Sequence, residues 1–507
     1  MTRSPGWPPD APEAPQTIPG LIRARAGERP EAPALLDAGR TVTYGELGAR
    51  VAALAGVLRR AGIGPDGRIA LFAGVDAGID AAILSIAAAS VAPTAILSAD
   101  APPAWRESAL DRIRPGLVLL REGAPASGIA APVLRYRRGP EVLALTAGEP
   151  AGAPVVEPPP HAVAFILASS GTTGEPRLIP ITHQAIIDAA IADSALIPDA
   201  DGFAPGDRFL IVGSAAHAVF TWIYTAFWPG ASAVIPGVDS AMGIAQVCSQ
   251  RRPTIVGGTP ALLASLADAR RGGDPDPGPA VRLALTTGAS MTGEMGDRIA
   301  AGLGCRIVDC YAASESLTIA HDGVYEPGMV RIAAETGEIL PAGAPGEIQA
   351  CGPRTFGGYL DDPEATAAAF TVDGWYRTGD LGRIDERGRL AVLGRLSEVI
   401  NRGGVKISPE SIERAAREHP AVREAAAYPV PHPELGQEAG LAVVLAPGAA
   451  LGWRDLRRWL LERLPANQMP HELRFVDRLP RTASGKIARL RLADQRQPRP
   501  GEQDAGA

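Results

Sequence analysis

The sequence predicts an α/β protein with a large N-terminal domain of layered sheets and a small C-terminal α+β domain. In the N-terminal part, short apolar strands alternate with helical segments, which is the pattern of largely parallel sheets. After about residue 330, short strands are punctuated by glycine and charge, which indicates a barrel-like subdomain. From residue 397 a new helix and further strands predict the C-terminal domain.

We expect four segments along the 507 residues. Residues 1–16 are rich in proline and polar side chains and form a loose N-terminal tail. Residues 17–396 form the N-terminal domain, and residues 397–491 form a mobile C-terminal domain. Residues 492–507 are polar and predict a disordered tail.

Local patterns predict the individual elements. Thr43 and Glu46 form a capping box before a helix that Gly62 ends. Ser408 caps a second helix, which begins at Pro409. Apolar or glycine-bounded runs predict strands at 69–72, 162–167, 209–212, 233–236, 254–256, 283–286, 306–309, 346–350, 374–378 and 388–394.

Composition excludes several classes of protein. The net charge is −7, so the chain lacks the excess of basic residues that is typical of proteins that bind nucleic acid or an anionic membrane. The longest apolar stretch, residues 81–97, is broken by Pro93 and flanked by Asp80 and Asp100. It predicts a buried helix followed by a strand, and no membrane span.

The cysteines and the N-terminus indicate a cytoplasmic protein. The N-terminus lacks the apolar core of a signal peptide. No pair of cysteines has the spacing of a zinc site, so we expect small buried or half-buried side chains in a reducing compartment. The four cysteines are Cys248, Cys305, Cys310 and Cys351.

The stretch from Leu167 to Arg177 has the chemistry of a loop that binds phosphate. Gly171 and Gly174 let backbone N–H groups approach an anion, and Arg177 adds a fixed positive charge. The spacing of a Walker A loop is absent. The hydroxyl donors of the loop are Ser169, Ser170, Thr172 and Thr173.

Five segments, in order along the chain, resemble the motifs of the adenylate-forming superfamily. This group contains acyl-CoA synthetases, adenylation domains of nonribosomal peptide synthetases and firefly luciferase. The resemblance covers roughly residues 20–490. The matching segments are the loop at 169–177, Tyr311-Ala-Ala-Ser-Glu315, Tyr376-Arg-Thr-Gly-Asp380, the stretch from Gly394 to Pro409, and Pro480-Arg-Thr-Ala-Ser-Gly-Lys-Ile487.

The resemblance implies a role in carboxylate adenylation for each motif. The loop and Arg177 would hold the β- and γ-phosphates of ATP, and Glu315 would ligate Mg²⁺. Ser314 would hydrogen-bond the α-phosphate, and Tyr311 would stack on adenine. Lys486 would swing in and bridge the carboxylate and the α-phosphate as charge develops.

At the ribose of ATP, the resemblance implies that Asp380 accepts hydrogen bonds from both hydroxyls and that Arg395 assists at the same sugar.

His217 matches a family histidine beside the acyl pocket, with a merely buried histidine as the alternative. Further pocket residues are expected at 257–260 and at Gly288, Ala289 and Ser290.

The resemblance also implies a thiol acceptor and a rotating C-terminal domain. Gly404 would line the pantetheine channel, and Ser397 occupies the hinge position. Basic residues that either meet the phosphates of CoA or are ordinary surface charges are Arg402, Lys406, Arg474, Arg478 and Arg481.

Three residues depart from the common family pattern. Arg177 stands where relatives commonly have lysine, so the charge is kept while its geometry changes. Ser314 replaces the usual threonine and keeps the hydroxyl. Ser397 stands where many relatives have aspartate or lysine, and a small residue can absorb a change of backbone angles.

The sequence therefore predicts an AMP-forming acid–thiol ligase that uses ATP, Mg²⁺ and, as acceptor, CoA. One alternative is a stand-alone adenylating enzyme that loads the phosphopantetheine of a separate carrier protein. A P-loop NTPase or kinase is disfavoured by the missing Walker spacing. A non-catalytic scaffold is disfavoured by Glu315 and Lys486. The motifs do not identify the acid.

Overall fold

The computed structural model describes residues 14–126, 128–137, 144–145, 157–169, 177–197, 202–213, 218–271, 281–289, 291, 293–402, 405–481, 487 and 489–494. The chain divides into two compact units. Unit 1 comprises Met1–Val330 with Ala350–Tyr376, and unit 2 comprises Arg331–Gln349 with Arg377–Ala507. The division groups residues 331–349 with the C-terminal part, while the predicted domain boundary at Ser397 stays a prediction.

Helices are distributed over both units. In unit 1 they are α1 (Ile18–Glu28), α2 (Tyr44–Arg60), α3 (Gly78–Ala89), α4 (Pro103–Ile113), α5 (His183–Leu196), α6 (Trp222–Phe227), α7 (Ala241–Arg251), α8 (Pro260–Arg271), α9 (Gly293–Leu303) and α10 (Pro363–Ala369). In unit 2 they are α11 (Pro409–Arg417), α12 (Trp453–Leu461) and α13 (Arg489–Asp494).

Unit 1 contains two large sheets. The first 15 strands are β1 (Pro33–Leu36), β2 (Thr41–Thr43), β3 (Ile69–Ala73), β4 (Thr94–Ser98), β5 (Leu117–Arg121), β6 (Val133–Arg137), β7 (Ala144–Leu145), β8 (Val163–Ser169), β9 (Arg177–Thr182), β10 (Arg208–Ile211), β11 (Ser232–Val234), β12 (Ile255–Gly258), β13 (Leu283–Thr287), β14 (Arg306–Ala313) and β15 (Leu317–His321). The eight-stranded sheet has the order β15-β14-β13-β12-β10-β11-β1-β2, and the seven-stranded sheet has the order β7-β6-β5-β3-β4-β8-β9.

The inner strands of both sheets are parallel and antiparallel pairs lie at their edges, which confirms the predicted fold class. In the eight-stranded sheet, apolar side chains of one face pack against α7, α8 and α9. In the seven-stranded sheet, an apolar cluster includes Ala109 and Ile113 of α4. The helices packed on these sheets fix the positions of the parallel strands. The carboxyl ends of such strands are where ligands usually bind in α/β proteins.

Unit 2 contains two smaller sheets. Its strands are β16 (Val330–Ala333), β17 (Gly346–Ala350), β18 (Tyr376–Ile384), β19 (Leu390–Arg395), β20 (Ile400–Arg402), β21 (Val405–Ile407), β22 (Val422–His432), β23 (Gly436–Leu445) and β24 (Glu472–Phe475). β16 to β19 form a four-stranded sheet in sequence order. β21-β20-β23-β22 form the second sheet, with β24 beside β23. A core that includes Ile412 of α11 and Leu456 of α12 packs on the second sheet.

Two local predictions are confirmed. The Thr43 hydroxyl accepts the Glu46 N–H at 3.2 Å, and the Glu46 carboxylate accepts the Thr43 N–H at 3.0 Å, so the capping box forms. The apolar stretch at 81–97 is the buried helix α3 followed by the strand β4. Within the described ranges, every helix is too short or too polar to cross a membrane.

The prediction for Ser408 is wrong in one respect. Ser408 occupies the position before α11, but its side chain makes no capping hydrogen bond. Its hydroxyl instead donates to the Leu393 carbonyl at the end of β19. Pro409 has no N–H, and the Ser411 N–H reaches the Ser408 carbonyl at 3.2 Å, which reduces the need for a side-chain cap.

The C-terminal helix continues beyond residue 491. α13 extends to Asp494, and the Leu492 side chain is buried against a cluster that includes Tyr428 and Val430. The start of the predicted tail therefore lies inside a packed helix, and residues 495–507 lie outside the described part of the chain.

Candidate active site

The two ends of the predicted phosphate loop lie side by side. β8 and β9 are antiparallel, and Ser169 pairs with Arg177 in their register. β8 also runs parallel to β4, so its end lies at the carboxyl edge of the seven-stranded sheet. Arg177 is exposed at that edge. The strand geometry thus places a cation at the point where the chain leaves and re-enters the sheet.

The hairpin between β14 and β15 carries Ser314 and Glu315. Residues 314–316 form its turn, and both side chains are half-buried. Leu317, the first residue of β15, has a φ of 46°, a strained backbone conformation for a bulky residue. A register shift opposite Tyr311 and Ala312 leaves Ile319 as an extra residue and so adds a bulge to β15. These two irregularities set the direction in which the turn projects from the sheet.

Gly288 and Ala289 lie beside this hairpin. They follow β13, which runs parallel to β14 with Thr287 opposite Cys310. The Thr287 hydroxyl donates to the Cys310 carbonyl at 2.8 Å and ties the two strand ends together. Gly288 has a φ of 82°, a conformation that glycine adopts without strain. The register therefore places Gly288 and Ala289 next to Tyr311.

Glu315 and Arg177 are linked through Tyr359, which follows the strand β17. The Tyr359 phenol donates a hydrogen bond to Glu315 Oε1 at 3.0 Å. The guanidinium carbon of Arg177 lies 5.4 Å from the centroid of the Tyr359 ring, within the range of a cation–π contact. The Phe356 N–H donates to the Glu315 carbonyl at 2.7 Å. A carboxylate and a cation thus both contact the side chain of Tyr359.

Burial, together with the charge and hydrogen bond of Glu315, raises the pKa of Tyr359 to about 12, although Arg177 acts in the opposite direction. The phenol therefore keeps its proton at neutral pH and remains a hydrogen-bond donor.

A second cluster lies in unit 2, on β18 and β19. The Arg395 Nε lies 2.9 Å from Asp380 Oδ1, and the Asp380 side chain is 8% exposed. The Asp380 N–H donates to the Thr378 hydroxyl at 3.1 Å, and that hydroxyl donates to the Ile348 carbonyl at 2.7 Å. Arg395 also donates to the Thr378 carbonyl at 3.2 Å. The carboxylate is thus fixed by its neighbours on the sheet.

Comparison with known families decides the assignment. The family model described as AMP-binding enzyme matches residues 22–360, and the model described as AMP-binding enzyme C-terminal domain matches residues 411–486. The chain belongs to the AMP-binding enzyme family. This enzyme is a member of the adenylate-forming superfamily and an AMP-forming acid–thiol ligase, as its motifs predicted.

Individual relatives resemble this AMP-binding enzyme along nearly its full length. Sulfoacetate–CoA ligase of Cupriavidus necator is 30% identical, over 95% of this chain and 98% of that enzyme. Feruloyl-CoA synthase of an Amycolatopsis species is 29% identical, over 91% and 96%. ATP-bound MatB of Rhodopseudomonas palustris has a TM-score of 0.81 at 24% identity, over 94% and 98%, which is a likeness of fold.

Several predicted site residues of this AMP-binding enzyme lie outside the described residues. They are Ser170, Gly171, Thr172, Thr173, Gly174, His217, Ser290, Gly404 and Lys486. The backbone of Ser397 lies in a single 3₁₀ turn, Leu396–Glu398, between β19 and β20. The hinge role of Ser397 stays a prediction.

Three of the arginines considered for CoA have carboxylate partners within unit 2. Arg402 pairs with Glu438 at 2.8 Å, Arg481 pairs with Glu424 at 2.6 Å, and Arg474 pairs with Glu472. These pairs agree with the alternative of ordinary charged residues.

The four cysteines are free, with Cys248 and Cys310 buried and Cys305 and Cys351 half-buried, as predicted. Burial raises the pKa of Cys248 and of Cys305 to about 11, which makes both thiols poor nucleophiles. In the described ranges, no cluster of three or more His, Cys, Asp or Glu side chains has the geometry of a metal site.

The sequence motifs missed Tyr359. A signal was present in the preceding pair Gly357-Gly358. Gly358 has a φ of 135°, and a Cβ atom there would lie 2.5 Å from the Thr366 methyl group. The two glycines before an aromatic residue therefore indicated a point where the backbone lies close to another part of the protein.

Proposed function

We propose that this enzyme is an acyl-CoA synthetase that forms an acyl-AMP from a carboxylic acid and Mg²⁺-ATP, then transfers the acyl group to CoA. The observation that carries the proposal is the Glu315 carboxylate, held by Tyr359 beside Arg177 at the carboxyl edge of parallel strands. A catalyst that joins two anions needs fixed charges at such a point. The proposed compartment is the cytoplasm, which supplies both ATP and CoA.

The reaction has two steps. A carboxylate oxygen of the acid attacks the α-phosphorus of ATP, and the bond to the β-phosphate breaks with release of pyrophosphate. The CoA thiolate then attacks the acyl carbon, and AMP leaves. Both steps need their reactants aligned and their charges balanced, which contributes several powers of ten to the rate.

The predicted site residues have separate roles in this proposal. Arg177 and the loop after Ser169 hold the β- and γ-phosphates. Ser314 donates to the α-phosphate, and Tyr311 offers a ring face to adenine. Gly288 and Ala289 belong to the acyl pocket, with Ser290 and His217 completing it.

In unit 2, Asp380 accepts hydrogen bonds from the ribose hydroxyls, and Arg395 orients it. Lys486 bridges the carboxylate and the α-phosphate during adenylation only. Ser397 is the hinge of a mobile C-terminal domain, and Gly404 lines the path of the pantetheine arm.

Glu315 fits a role as a Mg²⁺ ligand. Mg²⁺ is usually held by one or two carboxylates, with phosphate oxygens and water as the other ligands. The Glu315 side chain offers a carboxylate whose Oε1 already accepts one hydrogen bond from Tyr359. When bound, the ion neutralises charge on the phosphates. Glu315 orients that ion, and Arg177 adds a second positive charge.

The relatives indicate the range of acids to test. Their names include ligases for sulfoacetate and oxalate, which are short and carry two acidic groups, and a synthase for ferulate, which is aromatic. The predicted pocket residues His217 and Ser290 lie outside the described part of the chain, so the panel includes all of these classes of acid.

The test is an acid panel followed by pyrophosphate release. Purified enzyme is incubated with Mg²⁺-ATP, CoA and each of sulfoacetate, oxalate, ferulate and a fatty-acid series. The proposal expects at least one acid to give equal amounts of pyrophosphate, AMP and acyl-CoA. A purified carrier protein with its phosphopantetheine arm is the competing acceptor. Thioester formed on the carrier and not on CoA would contradict the choice of acceptor.

A further inference from the structure

We infer that Tyr359 is a positioning residue that holds the Glu315 carboxylate and the Arg177 guanidinium in the geometry that binds Mg²⁺-ATP. The inference rests on the proposed function. A metal-ligating carboxylate works best when a second group fixes its orientation, and loss of such a group typically costs about 10- to 100-fold in metal affinity or activity. The phenol donates to Glu315 Oε1 at 3.0 Å, which fixes the rotation of that carboxylate.

The segment from Thr355 to Leu360 forms hydrogen bonds with the turn that carries Glu315. The hydroxyls of Ser316 and Thr355 lie 3.0 Å apart and share a hydrogen bond. The Phe356 N–H donates to the Glu315 carbonyl at 2.7 Å. The backbone and the side chain of Glu315 are therefore both held by residues about 40 positions later in the chain.

The same segment is anchored to the strand that carries Arg177. The Leu360 N–H donates to the Leu178 carbonyl at 2.9 Å, and Arg177 lies over the Tyr359 ring. Tyr359 thus touches both the predicted metal ligand and the predicted phosphate-binding cation. Loss of the phenol oxygen would leave the backbone contacts of the segment from Thr355 to Leu360 in place. It would remove the hydrogen bond to the Glu315 carboxylate.

Tyr359 is itself firmly placed. Its N–H donates to the Thr366 hydroxyl at 2.9 Å, and Gly358 takes a backbone conformation that permits this approach. Its ring packs edge-on against Phe356 with centroids 4.9 Å apart, and the residue is 8% exposed. Tyr359→Phe should therefore keep the ring in place and remove the hydroxyl.

The experiment measures ATP binding by isothermal titration calorimetry over a series of Mg²⁺ concentrations, so it needs no knowledge of the acid. We expect Tyr359→Phe to raise the Mg²⁺ concentration that gives half of the gain in ATP affinity by about tenfold. Glu315→Gln should give a similar or larger shift. The double variant should match Glu315→Gln, because the phenol acts through that carboxylate.

A matched control removes another buried phenol. The Tyr136 hydroxyl donates to the Phe72 carbonyl at 2.8 Å, and burial likewise raises its pKa to about 12. Tyr136→Phe should keep the wild-type Mg²⁺ dependence even if it lowers the melting temperature. Circular dichroism melts of all variants separate folding from binding.

Two results would overturn the inference. One is a wild-type Mg²⁺ dependence in Tyr359→Phe, and the other is an effect of Tyr359→Phe that adds in full to that of Glu315→Gln. Failure of the proposed function has a different signature. In that case the wild-type enzyme releases no pyrophosphate with any acid, or its ATP affinity is the same with and without Mg²⁺.

Discussion

Asp380 and Arg395 face each other across β18 and β19, with 2.9 Å between Asp380 Oδ1 and Arg395 Nε. Asp380 sits on β18, and its N–H donates to the Thr378 hydroxyl of the same strand. A carboxylate oriented in this way is suited to accept two hydroxyl donors, such as the 2′ and 3′ hydroxyls of ribose.

We predict that Asp380→Asn raises the KM for ATP by about tenfold or more, the scale of losing hydrogen bonds to a charged group. Wild-type enzyme should also prefer ATP to 2′-deoxy-ATP, and the variant should lose most of this preference. Pyrophosphate release with the two nucleotides measures both effects. The control is Arg383→Gln, an exposed residue of the same strand. An Asp380→Asn enzyme that still discriminates like wild type would refute the ribose contact.

Lys486 is one of two lysines in the chain, the other being Lys406, among 49 basic residues. Arginine is therefore used wherever a positive charge suffices, including Arg177 in the phosphate loop. A lysine kept against this bias indicates a need for a compact ammonium group on a flexible stem.

We predict that Lys486→Ala lowers acyl-AMP formation by about two to three powers of ten. Lys486→Arg should recover little of that loss, because the planar guanidinium has a different shape. Thiolation of chemically supplied acyl-AMP should be much less affected, since Lys486 is proposed to act in adenylation only. Equal losses in both half-reactions would contradict the assignment.

The fold followed from the sequence because its strands are short apolar runs separated by glycine, proline and charge. The capping box at Thr43 and the burial of residues 81–97 follow from local patterns. Strand ends were less accurate. β11 stops at Val234, two residues before the predicted end, at a point where Pro236 has no N–H to donate.

The candidate site was only partly predictable. Motifs predicted Glu315, Asp380 and Arg395 as site residues, and their roles stay predictions. Tyr359 was not predicted, because its hydrogen bond to Glu315 spans 44 residues and leaves no periodic pattern. The hydroxyl of Ser408 was misassigned for a similar reason, since its partner Leu393 lies on a neighbouring strand.

A buried ion-pair cluster in unit 2 leads to a prediction about the stability of that unit. Arg489, three residues after Lys486, donates to Glu413 at 2.9 and 3.0 Å and to Glu398 at 2.5 Å. The Glu413 side chain is 2% exposed. Loss of Arg489 would leave that carboxylate buried without its main partner.

We predict that Arg489→Leu destabilises unit 2 by about 3–5 kcal/mol. The double variant Arg489→Leu/Glu413→Leu should recover most of the loss, because the uncompensated charge is gone. Urea unfolding measures both. Arg458→Leu, which removes an exposed pair with Asp455, should change stability by less than about 1 kcal/mol. A double variant as unstable as Arg489→Leu would contradict this account.

The burial of His183 predicts that the stability of the folded protein depends on pH. It is fully buried at the start of α5, its Nδ1 accepts the Ile18 N–H at 3.4 Å, and burial lowers its pKa to about 4. The unfolded chain, with a histidine pKa of about 6.5, binds a proton that the folded chain does not. Stability should therefore fall as the pH drops from about 6.5 towards 4.

At pH 5 the expected loss from His183 is about 2 kcal/mol relative to pH 7. His183→Gln should remove this part of the pH dependence. His161→Gln, at an exposed position, should leave it unchanged. Urea unfolding at pH 7 and pH 5 gives the comparison. Identical pH slopes for wild type and His183→Gln would show that His183 is not the titrating group.

In the proposed mechanism, the acid is activated as an acyl-AMP before any thiol takes part. The most direct measurement is rapid quench of stoichiometric enzyme with Mg²⁺-ATP labelled in the adenine and an acid that is active in the panel, with CoA left out. We expect enzyme-bound acyl-AMP and one equivalent of pyrophosphate, both converted to acyl-CoA and AMP when CoA is added. Formation of ADP, or no reaction of ATP until CoA is present, would contradict the claim.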